Sequence, residues 1–241
     1  MANNALLNNV EHQDIRIITR HSTEFGDDRM YTLTFPFEFR NIQACYPILF
    51  HKDAKDELYP VALFGFMENE NLFLDESGWH APYIPAMIRR EPFLIGYQGS
   101  EIADDVDKPR VLSIDLDNPR VNKEEGELLF QPLGGRTPFL EEMANLLETI
   151  YTGYMHNRIF MDALKEHDLV EAVTLDITLN DGSENQLLGF HTINEDKVEQ
   201  LPGDVLQRFG QQQILMPLFM VLASMANFRS LIDLKNKQLE D

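Results

Sequence analysis

Two histidines and an aspartate are the first residues whose types and spacing could do chemistry: His51 and Asp53 in "FHKD", and a distant His191 in "GFHTI". A His-x-Asp pair with a remote His is the ligand set of the iron-dependent facial triad, in which two imidazoles and a carboxylate leave coordination positions open. With 7 histidines and 40 acidic residues in the chain, such triples also arise by chance. His21, His80, His156 and His167 share no ligand spacing. A second group is Trp79, Tyr83 and Arg89, which could stack on an aromatic ligand or hold a carboxylate. A third is Gly134, Gly135 and Arg136, where backbone amides ahead of a helix could hold an anion, although Gly-Gly before an N-cap is also ordinary loop chemistry. The chain has no G-x-S-x-G, no G-x-x-x-x-G-K and no G-x-G-x-x-G. Cys45, the single cysteine, lies in the apolar run "ACYPILF", which excludes an intramolecular disulfide and a cysteine-built zinc site. No cofactor is expected.

These residues must be held by elements that the hydrophobic pattern outlines. Short apolar or alternating runs at Tyr31 to Phe39, Tyr46 to Phe50, Val61 to Phe66 and Asn71 to Asp75 predict an antiparallel sheet with brief connections. A helix over Ile84 to Arg90 is bounded by Pro82, Pro85 and Pro92, and Phe93 to Tyr97 continues as a strand. Arg89 and Arg90 then diverge by about 100° around the helix axis, so one can pair internally while the other is exposed. Val111 to Asp117 alternates as an isolated strand. From Thr137 the period becomes helical: Thr137 is an N-cap, Pro138 suits the first turn, and the helix runs to about Lys165 with Gly153 as its weak point. Val173, Leu175, Ile177 and Leu179 alternate before an Asn-Asp-Gly turn and predict a β-hairpin. A Pro-Gly break at Pro202 and Gly203 precedes a mostly apolar helix and an amphipathic tail, Phe219 to about Gln238. The expected class is α+β: an N-terminal antiparallel sheet, a long amphipathic helix, a β-hairpin and a C-terminal core helix packed against it. Residues 1–241 read as one domain, with two lobes dividing near 98–127.

A formal charge of -20 repels phosphate backbones and anionic headgroups, which excludes nucleic acid as a partner class. Ten acids against one base, Lys197, lie between Glu166 and Asp204. That face could meet a basic partner, or simply be solvated. "MANNALLNNVEHQD" lacks the basic and apolar regions of a secretory signal, and "ILMPLFMVLASMANF", Ile214 to Phe228, is too short for a bilayer and reads as a buried core helix. No membrane span is expected. The chain is placed in the cytoplasm, with surface association through an export route that needs no N-terminal signal left open.

Three stretches, "FPFEFRNIQACYPILF", "VALFGFMENENLFLDESGWHAPYIPAMIRREPF" and "LLFQPLGGRTPFL", resemble in order the pattern of the SapC family, with Pro36, Glu38, Tyr46, Asn71, Trp79, Tyr83, Arg89 and Pro92 at motif positions. The family is named for a bacterial surface-array protein locus and is distinct from the peptide-transporter permease subunit of the same name. The resemblance implies a non-enzymatic accessory or interaction protein of a surface layer or outer-membrane receptor system, its partner another protein. The alternative, second to it, is a small-molecule or peptide-modifying enzyme working with neighbouring oxygenase- or halogenase-like proteins. It carries over no catalytic residues.

Overall fold

A computed structural model describes residues 3–97 and 110–240. The strands and helices run β1 (Asn4–Leu6), β2 (Arg16–Ile17), β3 (Tyr31–Leu33), α1 (Phe39–Ile42), β4 (Ile48–Lys52), β5 (Leu58–Leu63), β6 (Leu74–Asp75), β7 (Gly78–Trp79), α2 (Ala86–Arg89) and β8 (Phe93–Tyr97) in the first half. They continue as β9 (Arg110–Asp115), β10 (Val121–Asn122), β11 (Glu127–Leu128), α3 (Pro138–Glu166), β12 (Val170–Thr178), β13 (Glu184–Ile193), α4 (Glu195–Glu199), α5 (Gly203–Gln211), α6 (Leu215–Ser224) and α7 (Asn227–Glu240). Helices take 35% and antiparallel strands 26%, so the class is α+β.

The main sheet has the order β12-β13-β4-β5-β3, which seats the expected hairpin against the N-terminal strands. Its turn forms where Gly182 adopts φ 84, and the Asp181 carboxylate accepts from the Ser183 amide at 2.9 Å. Farther along, Val173 faces Phe190 while Leu175 faces Leu187, so β13 carries one extra residue. Gly189 at φ 82 absorbs that bulge, and Leu188 is turned outward. Two smaller sheets, β1-β9-β8 and β10-β2-β11, lie in the other half of the molecule.

The 29-residue helix α3 joins these halves. Thr137 Oγ1 accepts from the Leu140 amide at 3.3 Å, and Pro138 opens the helix, as the sequence requires. Its first turns bury Leu140, Met143 and Leu147 among Ile17, Phe93, Ile114 and Leu129, whereas its last turns bury Phe160, Met161 and Leu164 in the core of the main sheet. Between them Ile150 packs with Phe35 and Ala86. The two hydrophobic cores therefore divide along α3. The expected boundary near 98–127 falls partly on 98–109, outside the described residues, and the strand expected to stand alone beyond it, β9, pairs with both β8 and β1.

Two expected strands are shorter than their apolar runs. β3 stops at Leu33, because Pro36 has no N–H for the ladder and Phe39 already opens α1. Of Asn71 to Asp75 only Leu74 and Asp75 pair, with Trp79 and Gly78, because Asn71 makes a turn: its Oδ1 accepts from the Phe73 amide at 3.0 Å. Helix α2 is likewise confined to Ala86–Arg89, with Pro85 as its N-cap.

Gly153 has a specific packing role. A Cβ there would lie 2.7 Å from a ring carbon of Phe37 and 3.0 Å from one of Phe35, so the absent side chain admits both rings against α3. Replacing a mid-helix glycine ordinarily gains up to about 1 kcal/mol. Here Gly153→Val is expected instead to lower stability by about 1–3 kcal/mol through overpacking, measured by urea unfolding, with the far-ultraviolet spectrum retained.

Candidate functional site

The Trp79 segment is organised around a carboxylate in the interior. Glu38, 1% exposed, accepts from Thr34 Oγ1 at 2.8 Å on one oxygen, and from Tyr83 Oη at 2.8 Å and the Ala86 amide at 2.9 Å on the other. No cation is paired with it among the described residues. Tyr46 Oη in turn donates to the Tyr83 carbonyl at 2.6 Å and accepts from Trp79 Nε1 at 2.9 Å. Trp79 packs edge-on against Phe64 and His21. Burial pushes the Glu38 carboxyl above its ordinary value despite the three donors, and raises the Tyr46 and Tyr83 hydroxyls as well.

Arg89 Nη2 donates to Glu142 Oε1 of α3 at 2.9 Å, and Arg90 Nη1 donates to the Phe93 carbonyl at 2.7 Å. The Trp79 indole N–H, the Tyr83 hydroxyl and one guanidinium nitrogen of Arg89, Nη2, are thus engaged within the protein. Gly134, Gly135 and Arg136 form a tight turn: Gly134 sits at φ 85 and its amide donates to the Gln131 carbonyl at 2.8 Å, the Gly135 carbonyl accepts from the Gln131 amide at 2.7 Å, and Gln131 Nε2 donates to the Arg136 carbonyl at 2.9 Å. The Arg136 side chain is exposed.

The structure corrects the metal expectation. His51 lies opposite Phe190 and His191 opposite Phe50. Partners facing each other across an antiparallel pair share a face and neighbours along a strand alternate, so His51 and His191 project from opposite faces of the sheet. Asp53 completes no site either. Its Oδ1 accepts from the Glu57 and Lys55 amides at 2.9 and 2.8 Å, and these bonds hold its carboxyl below the ordinary value. Among the described residues no three His, Cys, Asp or Glu side chains are placed to hold an ion.

The surface of α6 departs from the buried core helix expected over Ile214 to Phe228. Leu218, Met220, Val221 and Ser224 point inward, and Ser224 Oγ accepts from the Ile48 amide at 2.8 Å, anchoring the helix to β4. Met216 and Phe219, however, are 56% and 48% exposed. On one side α6 borders a groove of about 780 Å³ whose lining includes Phe37, Arg40, His156, Ile159 and Met216. On its other side Phe219, Leu222 and Ala223 line a second groove with Glu195 and Glu199. Leu215 to Glu240 has a stretch of mean hydropathy 1.5, only 28% buried, and by length and composition alone is apolar enough to cross a membrane. A turn at Met225 and Ala226 interrupts it, and Leu218, Val221 and Leu231 join the main core. The buried core helix expected from the sequence is half-exposed. The signal was present as a run too apolar for its length in an otherwise charged chain.

An α+β protein built on an internal carboxylate network, with an uncovered apolar helix beside it, is the class that fold and site define. The family model described as SapC matches residues 7–231. The chain belongs to the SapC family. No curated protein and no solved structure matches it.

The Glu38 network makes two measurable predictions. Glu38→Ala strands three donors and should cost about 3 kcal/mol or more in urea unfolding. Because the folded-state pKa lies above the ordinary 4.5, Glu38 contributes stability that is fully present below pH 4.5 and lost as pH rises through the folded value. In Glu38→Gln the wild-type decline of unfolding midpoint above that pH should flatten. An unchanged slope would show that Glu38 titrates normally.

Proposed function

We propose that this protein is a non-enzymatic accessory protein that uses the α6 face to dock an apolar segment of another protein, in the cytoplasm, in the service of a bacterial surface layer or outer-membrane receptor system. The observation that carries the docking role is the exposure of Met216 and Phe219 on a helix of core composition. A contiguous exposed apolar patch between polar edges is the signature of an interaction surface. The edges narrow the partner. Arg40 and His156 lie along one groove, Arg40 without an ion pair among the described residues, while Glu195 and Glu199 lie along the other. An apolar ridge between a cationic and an anionic edge suits a partner segment with an apolar face, a carboxylate on one flank and a basic group on the other. The charge of -20 disfavours a second copy of this chain and an anionic membrane as occupants. The surface-layer setting rests on membership of the SapC family.

A photo-crosslinking amino acid placed at position 219 in native cells should yield an adduct with one protein, whereas the same group at Val10, 83% exposed on the N-terminal loop, should not. With that protein purified, Phe219→Asp should weaken binding by about tenfold or more while leaving the unfolding midpoint within experimental error. Absence of any adduct from 219 would overturn the docking face. Phe219-dependent sedimentation with vesicles would assign it to a membrane instead.

A further inference from the structure

A cavity of about 370 Å³ lies among α2, β8 and α3, apart from the α6 face. That volume falls at the low end of the range for sites that take small organic ligands, about 300–1,000 Å³. Met87, Leu94, Ile95, Leu147 and Ile150 give it apolar walls, and Tyr151 and Tyr154 line it from α3. Among the described residues Arg90 is its one charged lining residue, and no acid lines it. Arg90 differs from the arginines around it. Arg29 holds Glu91 at 2.8 Å, Arg89 holds Glu142 at 2.9 Å and Arg110 holds Glu148 at 3.1 Å. Arg120 donates to Asp27, which also lies 3.1 Å from His21 Nδ1. Arg90 has no carboxylate among the described residues, and burial pushes its guanidinium below the ordinary value, the direction expected of a cation withdrawn from water without a counter-ion.

The structural duty of Arg90 uses one nitrogen: Nη1 donates to the Phe93 carbonyl at 2.7 Å and ties α2 to β8. Nε and Nη2 form the other edge of the same planar group. Neither has a partner among the described residues, and neither is sealed from solvent. That edge is the fork that fits both oxygens of a carboxylate. Tyr154, half-exposed, adds a further donor. Partial burial raises its hydroxyl above the ordinary value, so the proton stays on, and Arg90 is close enough for its charge to oppose that rise. One unmatched positive charge suits a single negative one, and the apolar walls suit a hydrocarbon body. A phosphate dianion meets neither condition. We infer that this cavity binds a small monocarboxylate with an apolar body, its oxygens accepting from Arg90 Nε–H and Nη2–H. The Tyr154 hydroxyl donates to one of those oxygens, and the hydrocarbon lies against Met87, Ile95 and Leu147. The site shares no residue with the α6 face, so either role can fail without the other.

Nuclear magnetic resonance of the arginine Nε–H groups tests this on the full chain, with octanoate as the probe, octanamide as the neutral control and acetate as the control without a body. The Arg90 signal is assigned as the one lost in Arg90→Lys. Octanoate should move that signal and slow its exchange with water, and should bind about tenfold or more tighter than either control. Arg90→Lys keeps the charge but not the fork and should weaken octanoate by about tenfold or more. Leu94→Trp, at a lining position outside all three hydrophobic clusters, should do the same by filling the cavity, with an unchanged unfolding midpoint. The inference is overturned if octanoate leaves the Arg90 signal in place up to its micelle-forming concentration, if octanamide binds as tightly, or if Leu94→Trp leaves the affinity unchanged.

Discussion

A carboxylate removed from water without a cation beside it must be supplied with hydrogen-bond donors, and Glu38 obtains them from three places: Thr34, Tyr83 and the first amide of α2. Meeting that requirement ties the end of β3 to the segment between β7 and α2. Tyr46 extends the tie through the Tyr83 carbonyl and the Trp79 indole, so the strand entering β4 is held to the same knot. Much of the family motif thus maintains one internal arrangement. Its prolines, aromatics and single tryptophan bring donors to Glu38 and close the apolar shell around it.

The same segment borders two other features of the interior. His21 packs on Trp79 and belongs to the Asp27–Arg120 cluster, while Ala86 and Phe35 meet Ile150 of α3. Helix α3 serves both hydrophobic cores along one axis, and Gly153 is where Phe35 and Phe37 approach its backbone closely. What looks in sequence like a weak point in a helix is the space that two aromatic rings require. The interior is therefore polar and specific near its centre and apolar at both ends, and the apolar character reaches the surface at α6.

Elements whose signals are local were legible. The α3 N-cap, the alternation of β12, the turn at Gly182 and the strands β4 and β5 each follow from neighbouring residues. The apolar run through Phe35 and Phe39 misled, because β-propensity is outweighed by one proline and by the demand of Glu38 for donors brought from residues far along the chain. The His51, Asp53 and His191 set failed on register. A shift of one residue in pairing reverses the face of a strand residue, and spacing along the chain carries no record of which register is adopted. The His21, Asp27 and Arg120 cluster was invisible for a related reason, since Arg120 lies 93 residues from its partner carboxylate.

The sequence by itself determined the α+β class, the long helix, the hairpin and the membership of the SapC family, because periodicity, caps, turns and motif order are written in adjacent residues. Tertiary structure alone decided which polar side chains are satisfied internally and which face of α6 is left uncovered. Burial and hydrogen-bond partnership are properties of segments brought together from distant parts of the chain. They decide whether a tryptophan, an arginine or a histidine supports the interior or is free to meet a ligand.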